Sequence, residues 1–400
     1  MKKFSLLLAI ALLGCLVALS PVTANAQDDA QATFERTWYA TCYTEKNEEK
    51  CYQQSKELLQ KYPSSAYAKN ATGIVQKFEL NDAWTKFRAA LETYYKGPDA
   101  NKLEQLFSSG DNFLKIEPDQ QNPYHLFALA QMALAGHSAS LGQIYKNYDK
   151  VKGYAERAIT EMSAVTSTPE KFKAEYPAMV DPLRDLVPAN MNQFLAYQLI
   201  ETKGDQDQAI AYLTKATQVK AKGNVGWKDA NNYWLRANIY SGRYVELRAK
   251  YNALTDEEKT GDKGKELLKQ VNEVIDKKLI TDYARVVATA TDPALKELRD
   301  EARKQFDGFW KYRTDAPDKA AEFLKAFDAD PTVEGPAIPV KAETAATDMN
   351  APAAPTGGAN VKLSASGPGG AAPDAKGAST TKGKAAPAKK AAPKKKGRKG

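Results

Sequence analysis

The sequence predicts an all-α fold of stacked antiparallel helical hairpins, followed by a disordered C-terminal tail. Three observations carry the prediction. Apolar residues recur at the 3.6-residue period through long segments, and capping residues stand before proline or open capping boxes where those segments begin. No run alternates at the period of two that a half-buried strand requires.

The elements follow in chain order. Lys2 and Lys3 precede an apolar run from Phe4 to Leu19, then come Pro21 and the small residues of Ala24-Asn25-Ala26. This is the layout of a bacterial secretory signal peptide (residues 1–26), with cleavage expected after Ala26 and a periplasmic or secreted destination. The run is short and is promptly followed by Gln27-Asp28-Asp29, so no transmembrane span is expected in the mature protein. Leu12-Leu13-Gly14-Cys15 resembles a lipobox, and a lipid anchor on Cys15 is the alternative. Against it, Leu16-Val17-Ala18-Leu19 extends the apolar run where lipoproteins usually turn polar.

Residues 27–334 form the expected helical domain. Cys42 and Cys51 lie about four residues either side of a turn centred on Lys46-Asn47, so an antiparallel hairpin brings them opposite one another. They are an even pair in an oxidising compartment, and a structural disulfide is expected. Farther along, Asn122-Pro123, Thr168-Pro169 and Asp292-Pro293 each place a capping side chain before a helix-opening proline. Thr255-Asp256-Glu257-Glu258 is a capping box. Leu267, Leu268, Val271, Val274, Ile275 and Leu279 mark one helical face, and Leu295, Leu298, Ala302, Phe306 and Phe309 mark the next. Helices of about 12 to 20 residues with short connections are the expected units.

Within this domain, Gly204-Asp205 makes a turn before a segment with Ala209, Tyr212 and Ala216, and Leu195-Ala196 stands in the helix before it. The pattern resembles the tetratricopeptide repeat, in which small residues let two helices approach and large ones fill the groove to the next hairpin. Further copies are read at Tyr148 to Ile159, at Tyr233, Ala237 and Tyr240 with a turn before Tyr244, and at Trp38 to Pro63. The resemblance implies a divergent α-solenoid over roughly residues 30–331 that binds a protein or peptide partner in a concave groove. The Lys and Asn residues of the family's carboxylate clamp find no match, so chaperone-tail binding of that kind is not expected. All twenty tyrosines lie between Tyr39 and Tyr312 and read mainly as hairpin core. Trp227, Tyr233 and Trp234 are the candidates for a groove lining.

No motif for catalysis, metal or cofactor was found. His125 and His137 are read as capping or solvated groups at the two ends of one helix, the second because it follows Gly136. They are not spaced as zinc ligands with the cysteines. There is no Gly-x-Ser-x-Gly elbow and no His-Glu-x-x-His. The stretch from Ala378 to Ala385 nearly spells a phosphate loop but lacks the final Ser or Thr, and Asp205-Gln206-Asp207 lacks the rest of a calcium loop. An enzyme is therefore not expected. Two buried carboxylates facing each other in a cleft would overturn that expectation.

Residues 335–400 contain no Phe, Tyr or Trp, and carry twelve Lys and Arg against three carboxylates, a net of +9. Such a segment is expected to stay disordered, because it cannot bury enough apolar surface to offset its chain entropy. The whole chain carries +8, so with +2 on Lys2 and Lys3 the domain between is at −3. The basic character belongs to the tail, which argues against specific nucleic-acid binding by the domain. Lys389, Lys390, Lys394, Lys395, Lys396, Arg398 and Lys399 are candidate contacts for a polyanion such as lipopolysaccharide, anionic lipid or cell-wall polymer. A flexible tail of this length reaches about 45 Å. The leading expectation is a non-enzymatic interaction scaffold of the cell envelope, and the alternative is an envelope component tethered through its tail.

Overall fold

The computed structural model describes residues 21–165, 169–221 and 223–341, and along these the chain is all-helical. The signal-peptide core, Cys15, Thr168 and the terminal lysines lie outside the described residues. The first helices are α1 (Pro21–Tyr39), α2 (Glu48–Lys61), α3 (Ala68–Lys96), α4 (Ala100–Ile116), α5 (Pro123–Leu141) and α6 (Tyr148–Ala164). They are followed by α7 (Tyr176–Met179), α8 (Asp181–Glu201), α9 (Gln206–Gln218), α10 (Ala230–Asn252) and α11 (Asp256–Thr260). The last are α12 (Asp262–Val274), α13 (Ile280–Thr289), α14 (Lys296–Arg313) and α15 (Lys319–Lys325). Among the described residues there is no strand, only an isolated antiparallel bridge between Thr314 and Val340. No helix among them is long and apolar enough to cross a membrane.

Packing follows chain order. Each of α2 to α6 packs on its successor or on the next full-length helix, α8 packs on α9, and α9 on α10. Helix α10 then takes α12 and α13, and α13 takes α14 and α15. One core cluster runs from Ala83 in α3 to Leu195 in α8, and a second from Ala230 in α10 to Phe327 beyond α15. A small satellite of Trp38, Leu58 and Ala71 holds α1 and α2 to the start of α3. Helix α5 is apolar on nearly every side because neighbours cover it all round.

The capping chemistry is visible at the helix starts. Asn122 accepts a hydrogen bond from the Tyr124 amide at 3.0 Å with Pro123 opening α5, and Asp292 accepts from Ala294 at 2.8 Å. Thr255 and Glu258 form both bonds of the capping box, although the helix they open, α11, has only five residues. On the two faces marked by periodicity, Val271, Ile275, Leu279, Leu298, Ala302, Phe306 and Phe309 are all buried. Ala209 and Ala216 are likewise buried on α9, where small side chains permit its close approach to α8.

Three details differ from the sequence reading. Helix α3 has 29 residues, longer than the expected unit, because it serves two clusters in turn, with Ala71 buried near its start and Ala83, Phe87, Leu91 and Tyr94 buried in its second half. Helix α10 is continuous through Ser241-Gly242, so the expected turn before Tyr244 is absent. Its residues Tyr233, Ala237, Tyr240 and Tyr244 recur at intervals of three and four, the stripe of a single helix. Gly136 does not end α5, which continues to Leu141. A Cβ at Gly136 would sit 2.7 and 2.9 Å from the two Val151 methyl groups, so this glycine serves the crossing of α5 and α6.

Candidate functional site

The first hairpin is built around Cys42 and Cys51, whose sulfurs lie 2.00 Å apart, at disulfide distance. After α1 the chain widens into one π-helical turn, Ala40–Thr44, and Lys46 takes a left-handed conformation at φ 54°. Asn47 then caps α2 by accepting from the Lys50 amide at 3.0 Å. Below the turn, Trp38 is fully buried and donates its indole N–H to Ser55 at 2.8 Å. Above it, Tyr39 and Tyr43 are 50% and 44% exposed with ring centres 4.8 Å apart. Tyr43 and Trp38 also meet edge to face, and Tyr67 lies against both Trp38 and Tyr39. The result is an exposed tyrosine pair on a covalently braced turn. Replacing both cysteines by serine is expected to cost about 2–3 kcal/mol by the loop-entropy argument. The loss should concentrate in α1 and α2, since their cluster is small, and hydrogen exchange of those helices checks it.

Both histidines are buried and hydrogen-bonded to groups on other elements. His125 is buried in the first turn of α5, with Nδ1 2.6 Å from the Glu117 carbonyl and Nε2 2.8 Å from Glu161, which also accepts from Arg157. His137 is buried in the interior of α5, its Nε2 3.0 Å from Gln193. Burial lowers the His137 pKa to about 4, only partly offset by Gln193. The sequence suggests a capping or solvated group at a helix end for each: His125 does stand at the start of α5 but is buried and hydrogen-bonded, and His137 is neither terminal nor solvated. Gly136 gave the wrong helix end for His137, and the partner of His125 is 36 residues away in α6. From Gln193 the tract continues to Asp229 at 2.7 Å and Asn232 at 2.9 Å, so it ties α5, α8 and the start of α10 together.

A second tract holds α10 to α13. Arg236 Nε and Nη2 donate to the two Asp282 oxygens at 2.7 and 2.6 Å, and Arg285 donates to the same carboxylate at 3.0 Å. Burial works against the Arg236 charge, and Asp282 outweighs it, so the guanidinium is held more firmly protonated than usual. Arg313 clamps Asp276 in the same two-pronged way, at 2.8 Å for each bond, joining α14 to the π-helical turn Ile275–Leu279. The buried carboxylates among the described residues, Glu161, Asp229 and Asp282, thus sit in separate networks. No group of three or more His, Cys, Asp or Glu that could hold a metal ion occurs among the described residues.

Of the residues singled out from sequence, the cysteines come together, Tyr233 and Trp234 are buried in the core, and Trp227 is half-buried with its carbonyl accepting from the Tyr233 hydroxyl at 2.7 Å. The seven basic tail residues lie outside the described residues. The exposed Tyr39–Tyr43 pair was missed. Its signal was present, since the two rings are four residues apart on one helical face while Trp38 points into the core. Comparison with known protein families, with curated proteins and with solved structures finds no match.

Proposed function

We propose that this chain is a non-enzymatic interaction scaffold of the bacterial cell envelope, a divergent tetratricopeptide-like solenoid that binds a protein or peptide partner. The observation that carries this reading is the exposed tyrosine pair on the braced first hairpin. Tyrosine is favoured at interfaces because its ring supplies contact area at low entropic cost and its hydroxyl stays hydrogen-bonded at the wet rim. A covalent brace that holds the pair in one geometry lowers the cost of binding further. Helices packed in chain order supply an extended surface beside it. The cysteine pair and the N-terminal sequence support export, and the internal charges serve as struts between helices.

The second reading is supported by the charge segregation, with +9 on residues 335–400 beside a domain at −3. It makes the protein an envelope component tethered to a polyanion by its tail. One experiment separates the two. Photo-crosslinking from intact envelopes compares the mature protein, a form ending at Lys341, and Tyr39→Ser/Tyr43→Ser. A partner retained without the tail, with recovery reduced about tenfold or more by the tyrosine changes, is the expected result, a loss within the range of interface hot spots. Retention that needs the tail, ignores the tyrosines and is released by salt would favour the tether and sink the scaffold reading.

A further inference from the structure

Residues 335–341, assigned to the tail by composition, lie against the helical body. Pro331 is buried, while most of residues 332–341 are exposed, and the segment is held at discrete points. Arg285 Nη2 donates to the Val333 carbonyl at 3.0 Å. At the other end, the Lys341 amide donates to the Arg313 carbonyl at 3.0 Å, beside the Thr314–Val340 bridge. Between them, Ile338 packs on the second core cluster. Gly335 passes so close to two rings that a Cβ there would come 3.0 Å from Phe327 and 3.3 Å from Phe323. Backbone hydrogen bonds at both ends with an apolar anchor between them are the means by which a groove holds an extended peptide. Pro336 and Pro339 flank Ile338 and restrict the backbone, which reduces the entropy lost on docking. Because few of its side chains are buried, the segment is a strap on the surface and not a part of the core.

We propose that the face formed by α13, α14 and α15 is a docking groove for an extended segment. Residues 332–341 close it in cis, and when they are displaced the groove takes the same segment from a second copy of the chain. Every copy carries an occupant that matches the groove, and exchange of an identical element is a low-cost route to association. The inference does not depend on the scaffold reading.

A fluorescein-labelled peptide of residues 332–344 tests it, titrated against a chain ending at Pro331 and against the full chain. Saturable binding to the shortened chain is expected, and binding to the full chain at least about tenfold weaker, because the tethered strap competes at high effective concentration. The peptide carrying Ile338→Asp should not bind. Since shortening removes native contacts, the full-length Ile338→Asp chain is a second host and should take up the wild-type peptide better than the wild-type chain does. Light scattering of the shortened chain mixed with the full chain should reveal a two-chain species. The proposal fails if the peptide binds neither host, binds the wild-type chain equally well, or if neither host folds, because a docking groove must stand without its occupant. Separate masses alone in the mixture would overturn the exchange between copies.

Discussion

Asp282→Ala is expected to destabilise the protein by about 3–5 kcal/mol, the cost of breaking a buried ion pair from one side. The carboxylate is 2% exposed and accepts from two arginines, and Arg236, at 8%, has little water to turn to. Removing Asp282 leaves that guanidinium desolvated with only its bond to Thr214 at 3.2 Å among those described. Asp282→Asn keeps the shape and some acceptor capacity, so it should cost less than alanine. Replacing Arg236 and Asp282 together by Met and Leu should recover most of the loss, because the desolvation penalty disappears with the charges. Urea unfolding of the three variants decides the matter. A loss under about 1 kcal/mol for the alanine variant would mean that water reaches Arg236 and the pair is a surface one.

The second large effect depends on pH. Burial depresses the His137 pKa to about 4 from an ordinary 6.5. Below pH 6.5 the unfolded chain takes up a proton on this residue while the folded chain does not. The folded state therefore has its full stability above about pH 6.5 and loses it progressively as pH falls towards 4. The shift corresponds to about 3 kcal/mol by pH 4. His137→Gln has no proton to gain, so its stability should fall less steeply over this window, by about that amount at the acid end. Unfolding midpoints measured from pH 7.5 to 4.5 on both proteins provide the check. Parallel profiles would show that the ring accepts its proton without opening the α5–α8 interface.

Much of the fold was legible because it rests on local chemistry. The Asn122 and Asp292 caps, the Thr255–Glu258 box and the two apolar faces after residue 266 are each set by side chains within one or two turns of each other. The disulfide was legible for the same reason, since a short turn fixes what lies opposite what. What could not be read depends on distant partners. Gly136 looks like a helix end until Val151 is placed over it. His125 looks solvated until Glu161 arrives from α6, and nothing local to Arg236 points to Asp282, 46 residues on in α13. The strap was hidden by composition. Residues 335–341 share the proline, glycine and alanine of the tail, and Ile338 is the one anchor that sets them on the body.

Helix α3 has a mechanical consequence. Its first half belongs to the satellite around Trp38 and its second half to the main core, and the helix between them is unbroken although no residue from 72 to 82 is buried. Over those three turns the position of the first hairpin relative to the main core is therefore set by the helical backbone of α3 and not by packed side chains. A proline at exposed Gln76 or Lys77 would break the helix there without replacing any buried side chain. The first hairpin would keep its brace and its tyrosines, but α3 would no longer hold it at a fixed angle to the rest of the helical domain.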